Sequence, residues 1–173
     1  MRRTMHPTDA LIAAQLVTAT GLLWPGRARW PLPRGVRGAA GAALLAGVAL
    51  GAAGVRELGS DLTPFVDPRR GAPLRTDGPF GLSRNPVYAG LLLAATGFAV
   101  LRRRPEPLLA ATALTVVLQV KTRVEETRLR ARFGAEYATY AARTPRLLGL
   151  PGRRPRDGSR PQGPGPRGVS EPG

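Results

Sequence analysis

The chain contains no cysteine. Disulfides, thiolate nucleophiles and cysteine-ligated metals are therefore excluded. It has a single histidine, His6, which lies close to the N-terminus. One terminal imidazole cannot form a metal cluster and reads as an exposed end residue. No metal site is expected. Lysine is also scarce, with Lys121 the only one among 26 basic residues. Acids number 11, which leaves a net charge of +15 carried almost entirely by arginine. The arginines form no aromatic-interleaved patch, so specific nucleic-acid binding is not expected.

The charges that are present cluster, and long intervals carry none. No charge falls between Ala10 and Arg27, between Gly38 and Val55, between Val87 and Leu101, or between Pro107 and Val120. The first two intervals approach the ~20 residues that cross a bilayer core, and the last two are shorter. The second is rich in small residues, among them Gly41, Ala43, Gly47, Gly51 and Gly54. In water so much glycine weakens a helix, whereas in a membrane it lets helices approach closely. The pattern predicts an all-α integral membrane protein with about four membrane helices. Their approximate spans are residues 8–24, 36–55, 85–101 and 106–120. The four-residue link between the third and fourth forces an antiparallel hairpin. Trp24 and Trp30 read as interfacial anchors at a helix end. Nineteen basic residues fall on the side shared by the head, the 56–85 loop and the C-terminal region, against seven on the other. The larger group belongs in the cytoplasm, although Arg102, Arg103 and Arg104 on the far side conflict with that assignment.

A polar, turn-rich segment, 76–85, opens the third helix. Asp77-Gly78-Pro79 is a turn signal. Asn85 is expected to cap the helix, and Pro86 suits its first position, where a missing N–H costs nothing. With Arg84 beside it, this helix end suits an anionic group. Residues 121–143 read as an amphipathic cytosolic helix. Leu129, Phe133, Tyr137 and Tyr140 recur at helical spacing and define its apolar face. Glu125 is four residues before Leu129 and joins that face. Glu126 falls on another face, where Arg130 is its expected partner at i+4. A carboxylate turned inward near a membrane needs a partner. For Glu125, an ion pair with Arg84 or Arg128 is one solution and a functional site is the other. Half of the 151–173 stretch is proline or glycine, which predicts a disordered tail. The domain proper is then 1–150.

These residues resemble the isoprenylcysteine carboxyl methyltransferase family and its relatives, the membrane phospholipid methyltransferases. One family pattern is a Gly-containing turn followed by Arg-His-Pro-x-Tyr-x-Gly at the start of a membrane helix. Here it reads Gly78-Pro79-Phe80, then Arg84-Asn85-Pro86-Val87-Tyr88-Ala89-Gly90. The other is Glu-Glu, Phe-Gly, Tyr-x-x-Tyr and a final Pro-Arg. Here it reads Glu125-Glu126, Phe133-Gly134, Tyr137, Tyr140 and Pro145-Arg146. The match covers residues 56–148. It implies a small helical membrane methyltransferase that uses S-adenosylmethionine (S-adenosyl-L-methionine) at the cytosolic surface, with no Rossmann-type domain. By position, the resemblance assigns Leu74, Arg75, Phe80, Arg84, Asn85, Pro86, Tyr88 and Glu125 to the cofactor.

Two departures from the family pattern bear on the reaction. Asn85 stands where the family has histidine, and asparagine does not titrate near neutrality. Lys121 stands where prenylcysteine enzymes have an arginine credited with the substrate carboxylate. Lysine supplies the charge but no bidentate fork. Arg123 is a second candidate for that role, about 200° around the helix from Lys121. The expected acceptor is a lipid-like or isoprenoid-type molecule, most simply a carboxylate, which is already ionised and needs no general base. Two alternatives remain open in the sequence: a reductase on the same scaffold, and a non-catalytic basic membrane adaptor.

Overall fold

The computed structural model of the chain describes residues 7–59 and 73–149. Among the described residues there are helices and no strands. They are α1 (Pro7–Gly21), α2 (Arg34–Leu58), α3 (Pro79–Leu82), α4 (Pro86–Arg102) and α5 (Pro105–Arg143). The expected terminal disorder of 151–173, the position of His6 and the middle of the long polar loop lie outside the described residues.

Two helices, α2 and α5, are long and apolar enough to cross a membrane. α4, at 17 residues, is a shorter apolar helix, and α1 has 15. α1 stops at Gly21, after which Leu22, Leu23 and Trp24 bond back to Ala19, Thr20 and Gly21 as turns. α3 has no counterpart in the sequence reading. It is one turn of helix that starts after Gly78, whose positive φ of 54° swings the chain into Pro79.

α2 and α4 pack backbone to backbone. Gly47 lies against Gly90 and Ala94, Gly90 against Gly47 and Gly51, and Gly97 against Ala40 and Leu44. Rising numbers on α2 meet falling numbers on α4, so the two helices run antiparallel. A Cβ built on Gly47 would stand 2.4 Å from the Ala94 nitrogen, so no side chain fits this seam. The small residues of the second uncharged interval are what permit it. The other face of α4 meets α5. Ala95 and Ala99 of α4 form one core with Ala111, Leu114 and Leu118 of α5 and Leu22 beyond α1.

Only Arg103 and Arg104 separate α4 from α5. Arg103 takes a left-handed conformation, φ 56°, that ends α4. Arg104 is 2% exposed. Its guanidinium donates to the Trp24 carbonyl at 2.8 Å and pairs with Glu106 at 3.3 Å. Arg29 pairs with the same glutamate at 2.6 Å, and Arg102 donates to Trp24 O. Gly26 leaves room for Arg104, because a Cβ there would fall 2.2 Å from its Nη1. The three arginines that conflicted with the charge rule are therefore partly consumed in tying α1 to the α4–α5 link.

With no breaker before Gly134, the fourth helix is expected to run on beyond the membrane into the amphipathic stretch. The structure has this single helix, α5, broken locally at Gly134 (φ 51°, ψ −121°). This break alters the predicted face. Tyr137 and Tyr140 are buried, but Leu129 and Phe133 are only half-buried. A 3.6-residue count cannot be carried across a residue that leaves the helix.

Candidate active site

The two motif-bearing stretches meet where the first turn of α4 faces the middle of α5. Pro86 is buried at the first helical position and fixes the start of α4. Tyr88 then projects toward α5, and its hydroxyl donates to Glu125 Oε1 at 2.8 Å. Lys121 is one helical turn before Glu125 and shares its face. Its ammonium is buried, 5.1 Å from the centroid of the Tyr88 ring, and donates to Gln15 Oε1 of α1 at 3.1 Å. Side chains from α1, α4 and α5 thus converge on one point. The ring face and the amide oxygen offset the cost of burying the ammonium.

Glu126, the next residue, organises a second cluster. It is 3% exposed, pairs with Arg84 Nη1 at 2.9 Å and accepts a hydrogen bond from Arg146 Nη2 at 2.6 Å. Arg84 Nη1 also reaches the Tyr137 hydroxyl at 3.4 Å. The hydrogen bond to Glu126 holds Arg146 above the usual arginine range, because it favours the charged guanidinium. The backbone follows the same path. Arg84 N donates to Pro145 O at 2.8 Å, and Asn85 Nδ2 donates to Arg146 O at 3.0 Å. Ser83 Oγ reaches Arg146 O at 3.3 Å and accepts from Asn85 N at 3.1 Å. Tyr140 closes the cluster by donating to Phe80 O at 2.7 Å.

Two expectations are corrected here. Glu126 pairs with Arg84 and Arg146, not Arg130. Arg130 instead lies over the Tyr137 ring at 6.0 Å. The reason is tertiary: two guanidiniums from distant segments outbid one exposed neighbour on the same helix. Asn85 occupies the cap position of α4 but makes no side-chain cap bond, because its amide is used on Arg146 O. Of the two ion-pair partners expected for Glu125, Arg84 pairs with Glu126 instead.

The remaining residues assigned by the resemblance are dispersed around this centre. Tyr88, Lys121 and Glu125 are in mutual reach. Asn85 and Arg84 stand at the same end of α4 but face the C-terminal segment. Phe80 is buried in α3, and Leu74 is half-buried ahead of it. Arg75 pairs with Glu57 near the end of α2 at 3.6 Å. Arg123 is exposed, on the side of α5 away from Lys121. Gln15 was not anticipated. It is the only amide side chain in its uncharged interval, and a lone polar group in an apolar helix is the signal that finds it.

Residues 36–136, more than half of the chain, match the protein-family model described as phospholipid methyltransferase. A search of curated proteins finds no match. The matched region contains Tyr88, Lys121 and both glutamates. It leaves out α1 with Gln15 and the C-terminal Arg146.

Proposed function

The chain belongs to the phospholipid methyltransferase family, and from that premise we propose that it transfers a methyl group from S-adenosylmethionine to a hydrophobic, membrane-resident carboxylate. The observation that carries this reading is the Tyr88–Glu125 contact at 2.8 Å, which joins residues of both family motifs in one site. The donor set suits the cofactor. S-adenosylmethionine carries an ammonium, a sulfonium and a ribose diol. Glu125 offers a carboxylate acceptor to the ammonium or the diol. The Tyr88 ring lies 5.1 Å from the Lys121 ammonium, a contact of the kind an aromatic face makes with a cation. Asn85, Pro86, Phe80, Leu74 and Arg75 would form the surrounding shell, with Arg84 behind it, engaged by Glu126.

When bound, the cofactor supplies an electrophilic methyl on a sulfonium. The protein's task is then to orient the acceptor and exclude water, which supplies ~7–11 kcal/mol in well-aligned systems. Lys121 is the cation available to an acceptor carboxylate, and Gln15 fixes its direction. Arg123 faces away, so the role falls to Lys121. A carboxylate acceptor is ionised near neutral pH and requires no proton removal. Asn85 cannot act as a titrating base, which agrees with such an acceptor. In this reading α1, α2, α4 and α5 are four passes and α4–α5 is an antiparallel hairpin. The site lies at the cytoplasmic surface, on the side of the 56–85 loop and the C-terminal segment. The burial of Arg104 and its pairing with Glu106 support that orientation, because they take charge away from the opposite end.

The test is calorimetric titration of the detergent-purified protein with S-adenosylmethionine, alongside Glu125→Ala. Micromolar binding that the variant loses is expected. Membranes supplied with methyl-labelled cofactor should then yield a base-labile methyl ester in the lipid fraction. Folded protein that ignores the cofactor with and without lipid would refute the reading.

A further inference from the structure

We propose that Glu126 is a positioning residue: through Arg84 and Arg146 it straps the 144–146 segment across the turn before α4, and so sets the affinity of the neighbouring site. This rests on the methyltransferase reading. The chain of contacts is continuous. Glu126 holds Arg146 by its side chain, and the carbonyl of Arg146 receives Asn85 Nδ2 and Ser83 Oγ. The amide of Arg84 donates to the adjoining Pro145 carbonyl, and the Arg84 side chain returns to Glu126. The loop therefore begins and ends on one carboxylate, with the start of α4 inside it.

The consequence follows from adjacency. Glu125 and Glu126 are consecutive on α5, and both are tied to the start of α4, one through Tyr88 and the other through Arg84. Tyr88 is one turn from Asn85. A drift of this helix end changes the Tyr88–Glu125 separation directly. The strap thus fixes the α4–α5 register that the site needs, with no atom of Glu126 required to touch a ligand. Arg146 lies outside the residues that match the family model, so the strap recruits a part of the chain beyond that region. Arg84 is accordingly a positioning residue and not a direct ligand.

The experiment pairs two readouts on the full chain in detergent. The first is amide hydrogen exchange of the peptide containing Arg84, measured without ligand. The second is the Kd for S-adenosylmethionine by calorimetry. Glu126→Gln is expected to speed exchange at Arg84 while leaving the α2–α4 seam protected, and to weaken binding about 10- to 100-fold, as for loss of charged hydrogen bonds. Arg146→Ala, at a more exposed position, should reproduce both effects and stands in if Glu126→Gln does not fold. Arg146→Lys should recover part of the affinity. The double variant should be no worse than the poorer single one, because both cut the same strap. Faster exchange with unchanged Kd would overturn the proposal by making Glu126 purely structural. Unchanged exchange would overturn it by showing that Glu126 does not hold the strap. A wild-type protein that fails to bind the cofactor would instead overturn the methyltransferase reading beneath it, while the exchange data still report on the strap.

Discussion

The α2–α4 seam makes the sharpest structural prediction. A Cβ added at Gly90 would stand 2.4 Å from Gly51 N, 2.5 Å from Gly47 O and 2.8 Å from Gly51 Cα. All three are backbone atoms, so no rotamer change relieves the clash. Ordinary contact begins at 3.4 Å, so the helices must separate by 3.4 − 2.4, or about 1 Å. Because α2 and α4 are rigid rods, that shift also opens the neighbouring approaches at Gly47–Ala94 and Gly97–Ala40. Overpacking of this kind costs about 1–3 kcal/mol. Gly41, on the facing helix α2, is the control, with nothing within 4 Å of an added Cβ. There, alanine should add up to ~1 kcal/mol through helix propensity. Thermal melting of the purified variants, followed by circular dichroism in detergent, should place Gly90→Ala below the wild type and Gly41→Ala at or above it. A Gly90→Ala protein that melts at or above the wild type would refute the close-packed seam.

Tyr88→Phe removes the hydroxyl bonded to Glu125 but keeps the ring beside Lys121. Cofactor affinity by calorimetry should fall about 10-fold, and Tyr88→Leu should fall further because the ring face is also lost. If the two variants match, the ring contributes nothing. Under the proposed acceptor-side role, Lys121→Met should reduce incorporation of base-labile methyl label into lipid far more than it reduces cofactor binding. Equal losses in both assays would place Lys121 with the cofactor instead. Arg104→Ala leaves the Trp24 carbonyl with one donor fewer and empties a buried position. A loss of about 1–3 kcal/mol is expected in denaturant unfolding. A change within the scatter of the wild type would count against a structural role for this arginine.

Much of this arrangement is legible before any coordinates. The uncharged intervals locate the helices because a charge inside a packed or membrane helix is costly, and the small residues of 38–55 announce a close partner. Asn85-Pro86 marks the start of α4 to the residue. Glu125 is recognisable from its motif, and the structure adds Tyr88 as its immediate neighbour. The second glutamate was misassigned for a physical reason. Helical spacing ranks partners along one helix, and Glu126 found its partners on two other segments, 42 and 20 residues away. Gly134 compounds this, because its positive φ ends the periodicity on which the apolar face was projected. The side-chain cap expected of Asn85 failed similarly: its side chain turns to donate to the tertiary Arg146 carbonyl and does not accept from an N–H of the first turn of α4. Arg104 had no local signal either, since arginine at a helix junction ordinarily faces solvent.

The glycine seam has a mechanical consequence. Where two helices touch through side chains, rotamers act as springs and the joint can breathe. α2 and α4 touch backbone to backbone along Gly47, Gly90 and Gly97, with the Pro86 and Val87 side chains entering only at Gly54, so most of the seam has no such springs. α1 and α5 instead meet, at Gln15 and Lys121, through long, rotatable side chains. A bulky guest would find no room along the glycine seam and longer, rotatable side chains on the other side, at the lysine proposed for its carboxylate.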